Sequence, residues 1–176
     1  MTKTPSRKIF ITGCAKTGTT LVRRLFNAFD LVVYNKNEMY LQQFLDREVD
    51  VAKRRWNTLF SHKITDEQEQ YEKMKDVNIV NVVRNKADVL KSTNGYVPEA
   101  RYDECQRHVE KYGDVIDYTI DYEDLIKDPD KIQKEVAEKF NLTIKHKWTE
   151  YPDFIDIEDE QPAFKTDKYQ LRRIGI

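Results

Sequence analysis

Short strand patterns alternate with helix patterns along this chain, and this alternation is the strongest constraint on its fold. Five runs rich in β-branched or aromatic side chains predict strands: residues 8–12, 31–34, 58–62, 77–83 and 115–120. Helix patterns separate these runs, at residues 19–29, 37–49, 65–75, 88–94 and 101–112. A last helix is expected after Asp128, an N-cap residue that precedes Pro129. The alternation predicts an α/β fold with a mainly parallel sheet flanked by helices.

Length and charge narrow the class of protein. The 176 residues fit one domain with one sizeable core, and we expect residues 1–176 to form it. A formal net charge of −1 provides no global basic field, so we expect no nucleic-acid partner. The longest apolar runs are far shorter than the roughly 20 residues of a membrane span. With two cysteines and no signal-peptide pattern, the chain is expected to be cytoplasmic, with reduced thiols and no membrane partner.

The loop at residues 13–20 carries the clearest chemical signal. It reads Gly-Cys-Ala-Lys-Thr-Gly-Thr-Thr and lies between a predicted strand and a predicted helix. Glycines let backbone N–H groups approach an anion, and the positive end of the helix dipole points to the same place. In the nucleoside-triphosphate loop a lysine follows the second glycine. Here Thr19 follows Gly18 and the lysine is Lys16, so the loop predicts a phosphate site that is not an ATP site.

Two further side chains stand at predicted strand ends, where ligands of parallel sheets bind. Arg84 follows the run at 77–83, and His62 ends the run at 58–62. A guanidinium can hold a phosphate through two hydrogen bonds. A surface ion pair with an acid such as Asp88 is the alternative role for Arg84.

Three segments resemble sulfotransferases that use 3′-phosphoadenosine 5′-phosphosulfate (PAPS). Residues 16–20, Lys-Thr-Gly-Thr-Thr, are similar to that family's 5′-phosphosulfate loop. Residues 82–92 resemble its 3′-phosphate motif, in which an arginine at a strand end and a serine eight residues later hold the phosphate; Arg84 and Ser92 have this separation. Residues 121–129 resemble a Tyr-Glu-Asp-Leu segment late in the family's core.

The resemblance implies a three-layer, P-loop-like fold and a single sulfotransferase-like domain. It implies PAPS as co-substrate, PAP as product, no metal, and a small-molecule or carbohydrate acceptor. Lys16 would neutralise charge on the leaving phosphate. The residues implied to contact the nucleotide are Gly13, Cys14, Ala15, Lys16, Thr17, Gly18, Thr19, Thr20, Arg84, Ser92, Tyr122, Arg172 and Arg173. Tyr122 is the candidate adenine contact, because Leu21 stands where many relatives have a stacking tryptophan.

Sulfuryl transfer to a hydroxyl needs a base, and two residues are candidates. His62 lies about as far before Arg84 as the base histidine of small-molecule sulfotransferases lies before its arginine. Carbohydrate sulfotransferases often use a glutamate instead, which would be Glu38, ranked second. A hydrogen-bonded structural role is the alternative for His62, whereas His108 and His146 are expected to be solvated.

Two other functions stay open on the sequence. A non-catalytic module that binds PAP or another nucleotide is favoured slightly by the short chain and by Leu21. A P-loop kinase or nucleoside triphosphatase is disfavoured, because no lysine follows Gly18 and Arg84 stands where an acidic magnesium ligand is expected.

Overall fold

Four parallel strands form the sheet in the computed structural model, which describes residues 7–35, 38–92 and 97–150. The strands are β1 (Ile9–Gly13), β2 (Val51–Lys53), β3 (Asn78–Val83) and β4 (Ile116–Asp121). The α-helices of the described residues are α1 (Thr19–Leu25), α2 (Leu41–Leu45), α3 (Glu67–Lys75), α4 (Lys86–Ser92), α5 (Glu99–Lys111), α6 (Tyr122–Lys127) and α7 (Pro129–Phe140). Arg172 and Arg173 lie outside the described residues.

The strand order is β2-β1-β3-β4, and every pair is parallel. Ile11 pairs with Lys53 on one side of β1, and Gly13 pairs with Val82 on the other. Parallel pairing brings all four carboxyl ends to the same edge of the sheet. The expected α/β class with a mainly parallel, helix-flanked sheet is thereby confirmed.

Helices cover both faces of the sheet because alternate strand residues point to opposite sides. Ile9 and Ile11 join a core cluster with residues of α1, α6 and α7. Phe10, between them, joins a second cluster with residues of α2, α3, α4 and α5. Strands β1 and β2 and the middle of β3 are therefore buried on both sides, as is typical of parallel sheets, whereas the edge strand β4 is mostly half-buried.

The last helix begins where its capping residues predict. The Asp128 carboxylate accepts a hydrogen bond of 3.1 Å from the Lys131 N–H, and Pro129 is the first helical residue. Helix α3 also begins close to the expected place, but its cap is Asp66, which accepts from the Glu69 N–H at 2.7 Å. Local capping chemistry thus defines these two helix starts.

Two predicted strands are wrong, and one predicted helix is much shorter than expected. Residues 31–34 form only an isolated bridge, between Val33 and Val51. Residues 58–62 are no strand, because a 3₁₀ turn (Trp56–Thr58) and a second turn occupy this region. The helix expected over residues 37–49 is limited to α2, and the edge strand is β2, which no pattern indicated. Three residues are too few to show a period, so β2 is defined by its pairing with β1.

Trp148 closes the face of the sheet that α1 and α7 cover. Its side chain is fully buried, and its rings contact Phe26 and Phe29 at centroid distances of 6.4 and 5.9 Å. The indole N–H donates to the Leu25 carbonyl at 2.8 Å, and the backbone N–H donates to Gln133 Oε1 at 2.9 Å. One residue therefore ties the end of α1 to α7 by both packing and hydrogen bonds. No helix within the described ranges is long and apolar enough to cross a membrane.

Replacing Trp148 with alanine is expected to lower the free energy of unfolding by about 3–5 kcal/mol, because it leaves a large cavity in the core. Urea titration followed by circular dichroism measures the change. Val32→Ala is the matched control, since Val32 is 57% exposed and its truncation should stay within about 0.5 kcal/mol. Equal effects of both substitutions would contradict the anchoring role of Trp148.

Candidate anion-binding site at the carboxyl edge of the sheet

The loop at residues 13–20 joins β1 to α1 and is held by its own hydrogen bonds. The Thr17 hydroxyl donates to the Cys14 carbonyl at 2.9 Å, and the Thr17 side chain is buried. Lys16 adopts a left-handed backbone with φ of 66°, and its side chain is exposed. The first helical hydrogen bond runs from the Val22 N–H to the Gly18 carbonyl. The N–H groups of the first turn of α1 therefore have no carbonyl partner inside the helix.

Each loop glycine is required by a close contact. A Cβ on Gly13 would lie 2.6 Å from the Val82 carbonyl oxygen and 2.7 Å from Thr17 Oγ1. Gly18 has φ of 98°, and a Cβ there would lie 2.6 Å from Cδ2 of the Tyr122 ring. The glycines thus let the loop lie against β3 and α6 as well as leaving backbone N–H groups accessible.

Arg84 reaches from the end of β3 to the loop. Its Nη1 donates to the Lys16 carbonyl at 3.4 Å, and its guanidinium carbon lies 4.4 Å from the centroid of the Tyr122 ring. The Nε is buried without a hydrogen-bond partner. Its acidic neighbour is Glu123, whose Oε1 lies 4.0 Å from Nε, and not Asp88, the partner named in the alternative role. This separation is an ion pair too long for a hydrogen bond, so Nε still has a hydrogen bond to offer.

Tyr122 and Glu123 form the third wall of the site, at the start of α6. Burial raises the pKa of the Tyr122 phenol to about 12, although the charge of Arg84 opposes this shift. Burial also raises the pKa of the Glu123 carboxyl. Asp121 caps α6 by accepting from the Glu123 and Asp124 N–H groups at 2.9 and 3.2 Å. The capped helix thereby holds the Tyr122 ring against both Gly18 and Arg84.

A basic run at the end of β2 lies at the same edge of the sheet, and the sequence patterns did not predict it. Lys53 is the last residue of β2, and its ammonium lies 3.2 Å from Glu38 Oε1. Arg55 Nε lies 3.8 Å from the same oxygen. The Arg54 N–H donates to the Ile11 carbonyl at 3.0 Å, which places this run beside the last residues of β1. The sequence signal that could have indicated this run is three successive basic residues, 53–55, directly after the apolar pair Val51 and Ala52.

Glu38 is held near this edge by hydrogen bonds that join nearby residues to β2. The Tyr34 N–H donates to the Val51 carbonyl at 2.8 Å, and the Met39 N–H donates to the Lys53 carbonyl at 3.2 Å. Glu38, which precedes Met39, therefore lies on the outer side of β2, near the carboxyl end of that strand. The ion pairs with Lys53 and Arg55 hold the Glu38 carboxylate at the same edge as the loop.

The other predicted site residues are placed differently. His62 lies in an exposed turn, so the strand-end position expected for it is wrong. Ser92 is the exposed last residue of α4, and its hydroxyl donates to the Val89 carbonyl at 2.8 Å. Leu21 lies on α1, and its side chain is buried in the core cluster that also contains Ile9 and Ile11. His108, expected to be solvated, is partly buried and stacks on Tyr112 at 6.2 Å, and burial lowers its pKa.

Comparison with known proteins provides no family for this chain. No protein-family model matches it, and no curated protein matches it significantly in sequence. Among the described residues, no group of three or more histidine, cysteine, aspartate or glutamate side chains is placed to hold a metal ion.

Gly18→Ala is expected to lower the free energy of unfolding by about 1–3 kcal/mol from backbone strain. The contact of its Cβ with Tyr122 adds to that loss. Gly113→Ala is a matched control, because a Cβ at Gly113 meets nothing within 4 Å, and it should stay within about 0.5 kcal/mol. Thermal and urea unfolding of the two variants measure the difference. A neutral Gly18→Ala would show that the loop does not need its left-handed residue.

Proposed function

We propose that this protein is a PAPS-dependent sulfotransferase with a P-loop-like fold, which transfers a sulfuryl group to a hydroxyl acceptor. The observation that carries the proposal is the contact of Arg84 with the loop, through its hydrogen bond to the Lys16 carbonyl. Two anion-binding elements on neighbouring strands are what a nucleotide with phosphates at both ends requires. The similarity of residues 16–20 and 82–92 to the two phosphate motifs of sulfotransferases supports the same assignment.

In this proposal the loop holds the 5′-phosphate and Arg84 holds the 3′-phosphate. The buried Nε of Arg84 offers one hydrogen bond, and the 3.4 Å bond from Nη1 is long enough to be exchanged for a phosphate oxygen. Glu123 would lose its 4.0 Å ion pair when the phosphate binds. The exposed Lys16 ammonium stabilises the charge that develops on the bridging oxygen as the sulfur–oxygen bond breaks.

The acceptor proton goes to Glu38 in this mechanism, and His62 is the alternative base. Glu38 lies at the carboxyl edge of the sheet, whereas His62 lies in an exposed turn. Lys53 and Arg55 orient the carboxylate and add positive charge where the sulfuryl group passes. The two ion pairs hold the carboxylate in one orientation, in which it can accept a hydrogen bond from the hydroxyl of a bound acceptor.

PAP is expected to raise the melting temperature without magnesium, because binding to the folded state alone stabilises it. Arg84→Ala should weaken PAP binding about 10- to 100-fold, the loss expected for a charge-assisted hydrogen bond. Arg101→Ala, which removes the same charge from an exposed position on α5, should leave the affinity unchanged. Calorimetric titration measures the three affinities.

ATP with magnesium is the discriminating ligand for the competing function. A kinase holds its magnesium with acidic side chains, whereas β3 is followed by Arg84. A melting-temperature shift with ATP and magnesium, combined with none at saturating PAP, would overturn the sulfotransferase proposal.

Glu38→Gln is expected to reduce the rate of sulfate transfer from labelled PAPS about 10²- to 10⁴-fold, the usual contribution of a positioned base. The affinity of this variant for PAP should be unchanged, because the substitution alters only the acceptor side of the site and not the residues proposed to hold PAP. His62→Ala is the matched comparison and should retain the parent rate. The reverse pattern would assign the base to His62, the residue ranked first from the sequence. If PAP binds but the parent transfers sulfate to no acceptor in a broad screen, a non-catalytic binding module is favoured.

A further inference from the structure

The two cysteines of the chain lie against each other, although 90 residues separate them in the sequence. Cys14 belongs to the loop, and Cys105 lies on α5. Both thiols are free and buried in the same core cluster. Their side chains share a hydrogen bond, and Gln106, next to Cys105, donates from Nε2 to Cys14 Sγ at 3.6 Å. The chain contains no other cysteine, so each thiol has one possible partner within the molecule.

Helix α5 is fixed in this position by contacts on either side of the thiols. The Tyr102 hydroxyl, one turn before Cys105, donates to the Arg84 carbonyl at 3.2 Å. Lys86 lies 2.7 Å from the Glu99 carboxylate and 2.8 Å from that of Asp103, which ties α4 to α5. About two turns after Cys105, Tyr112 at the C-cap of α5 stacks on Trp56 at 6.2 Å. The helix therefore presents Cys105 to the loop from a rigid support.

The surroundings make the two sulfur atoms chemically different. The hydrogen bond from the Cys14 thiol lowers the pKa of Cys105, and backbone hydrogen bonds from Asn57 and Ala15 act in the same direction. The same hydrogen bond, together with burial, raises the pKa of the Cys14 thiol. Thiolates are the nucleophiles in thiol oxidation, and the backbone hydrogen bonds from Asn57 and Ala15 favour the thiolate of Cys105.

We propose that Cys14 and Cys105 form a redox pair that closes to a disulfide when a hydroperoxide oxidises the protein, and that this bond fastens the loop to α5. The Cys105 thiolate attacks the peroxide oxygen, the O–O bond breaks, and an alcohol or water leaves after protonation. The sulfenic acid on Cys105 then reacts with Cys14, which forms the S–S bond and releases water. Two thiols are oxidised and one peroxide bond is reduced. The step is independent of any nucleotide, so it stands or falls separately from the sulfotransferase proposal.

Treatment of the full chain with hydrogen peroxide, followed by alkylation in denaturant, tests the pair. The expected product is a monomer that is two hydrogen atoms lighter, with neither thiol alkylated. Trypsin should yield residues 9–16 linked to residues 102–107, and dithiothreitol should separate them. The oxidised protein should melt several degrees higher, because a cross-link between distant residues restricts the unfolded chain.

Single-cysteine variants separate the roles. In Cys14→Ser, Cys105 should form a sulfenic acid that dimedone traps, whereas Cys14 in Cys105→Ser should resist labelling. Labelling of Cys14 alone would overturn the assigned order of attack. Complete alkylation of both thiols after peroxide, or Cys105 oxidised to the sulfinic acid beside a free Cys14, would overturn the pair itself. Far-ultraviolet circular dichroism of each variant ensures that the labelling reports the folded protein.

Discussion

The close parallel pairing of β1 with β3 is the constraint on which the rest of the site depends. It aligns Gly13 with Val82, and the backbones approach so closely at that point that no Cβ fits on Gly13. The loop and Arg84 then leave neighbouring strands at the same edge, and a hydrogen bond joins them. A side chain at Gly13 would force the two strand ends apart. The geometry of the candidate anion site is therefore a consequence of sheet packing.

Charge is unevenly distributed in a chain whose formal net charge is −1. The carboxyl edge of the sheet gathers Lys16, Lys53, Arg55 and Arg84, because each follows or ends a strand or loop that reaches that edge. Acidic partners accompany them, with Glu38 between two cations and Glu123 beside Arg84. Balanced totals therefore conceal a local basic site in which carboxylates hold the cations in place.

The sequence predictions were correct where residues adjacent in the chain determine the structure, and wrong where residues far apart in the chain determine it. The loop and the start of α7 were predictable because a few adjacent residues determine them, such as Asp128 with Pro129. Strand β3, six residues long and rich in valine, was predictable from composition alone. Strand β2 was not, because its three residues carry no periodicity and are held by Ile9 and Ile11 of β1. The predicted position of His62 depended on a strand that does not form. A 3₁₀ turn begins nearby at Trp56, whose indole N–H donates to Asn81 Oδ1 at 2.9 Å, a contact that no local pattern indicates.

The sequence by itself determined the α/β class, the loop at residues 13–20 and the position of Arg84 at the end of a strand, since local propensity and spacing encode all three. Tertiary structure alone decided which distant side chains meet. It placed Lys53 and Arg55 around Glu38, the Tyr122 ring against Gly18, and Cys105 against Cys14. These contacts join residues far apart in the chain, and they follow from strand order and helix packing, which no local pattern specifies.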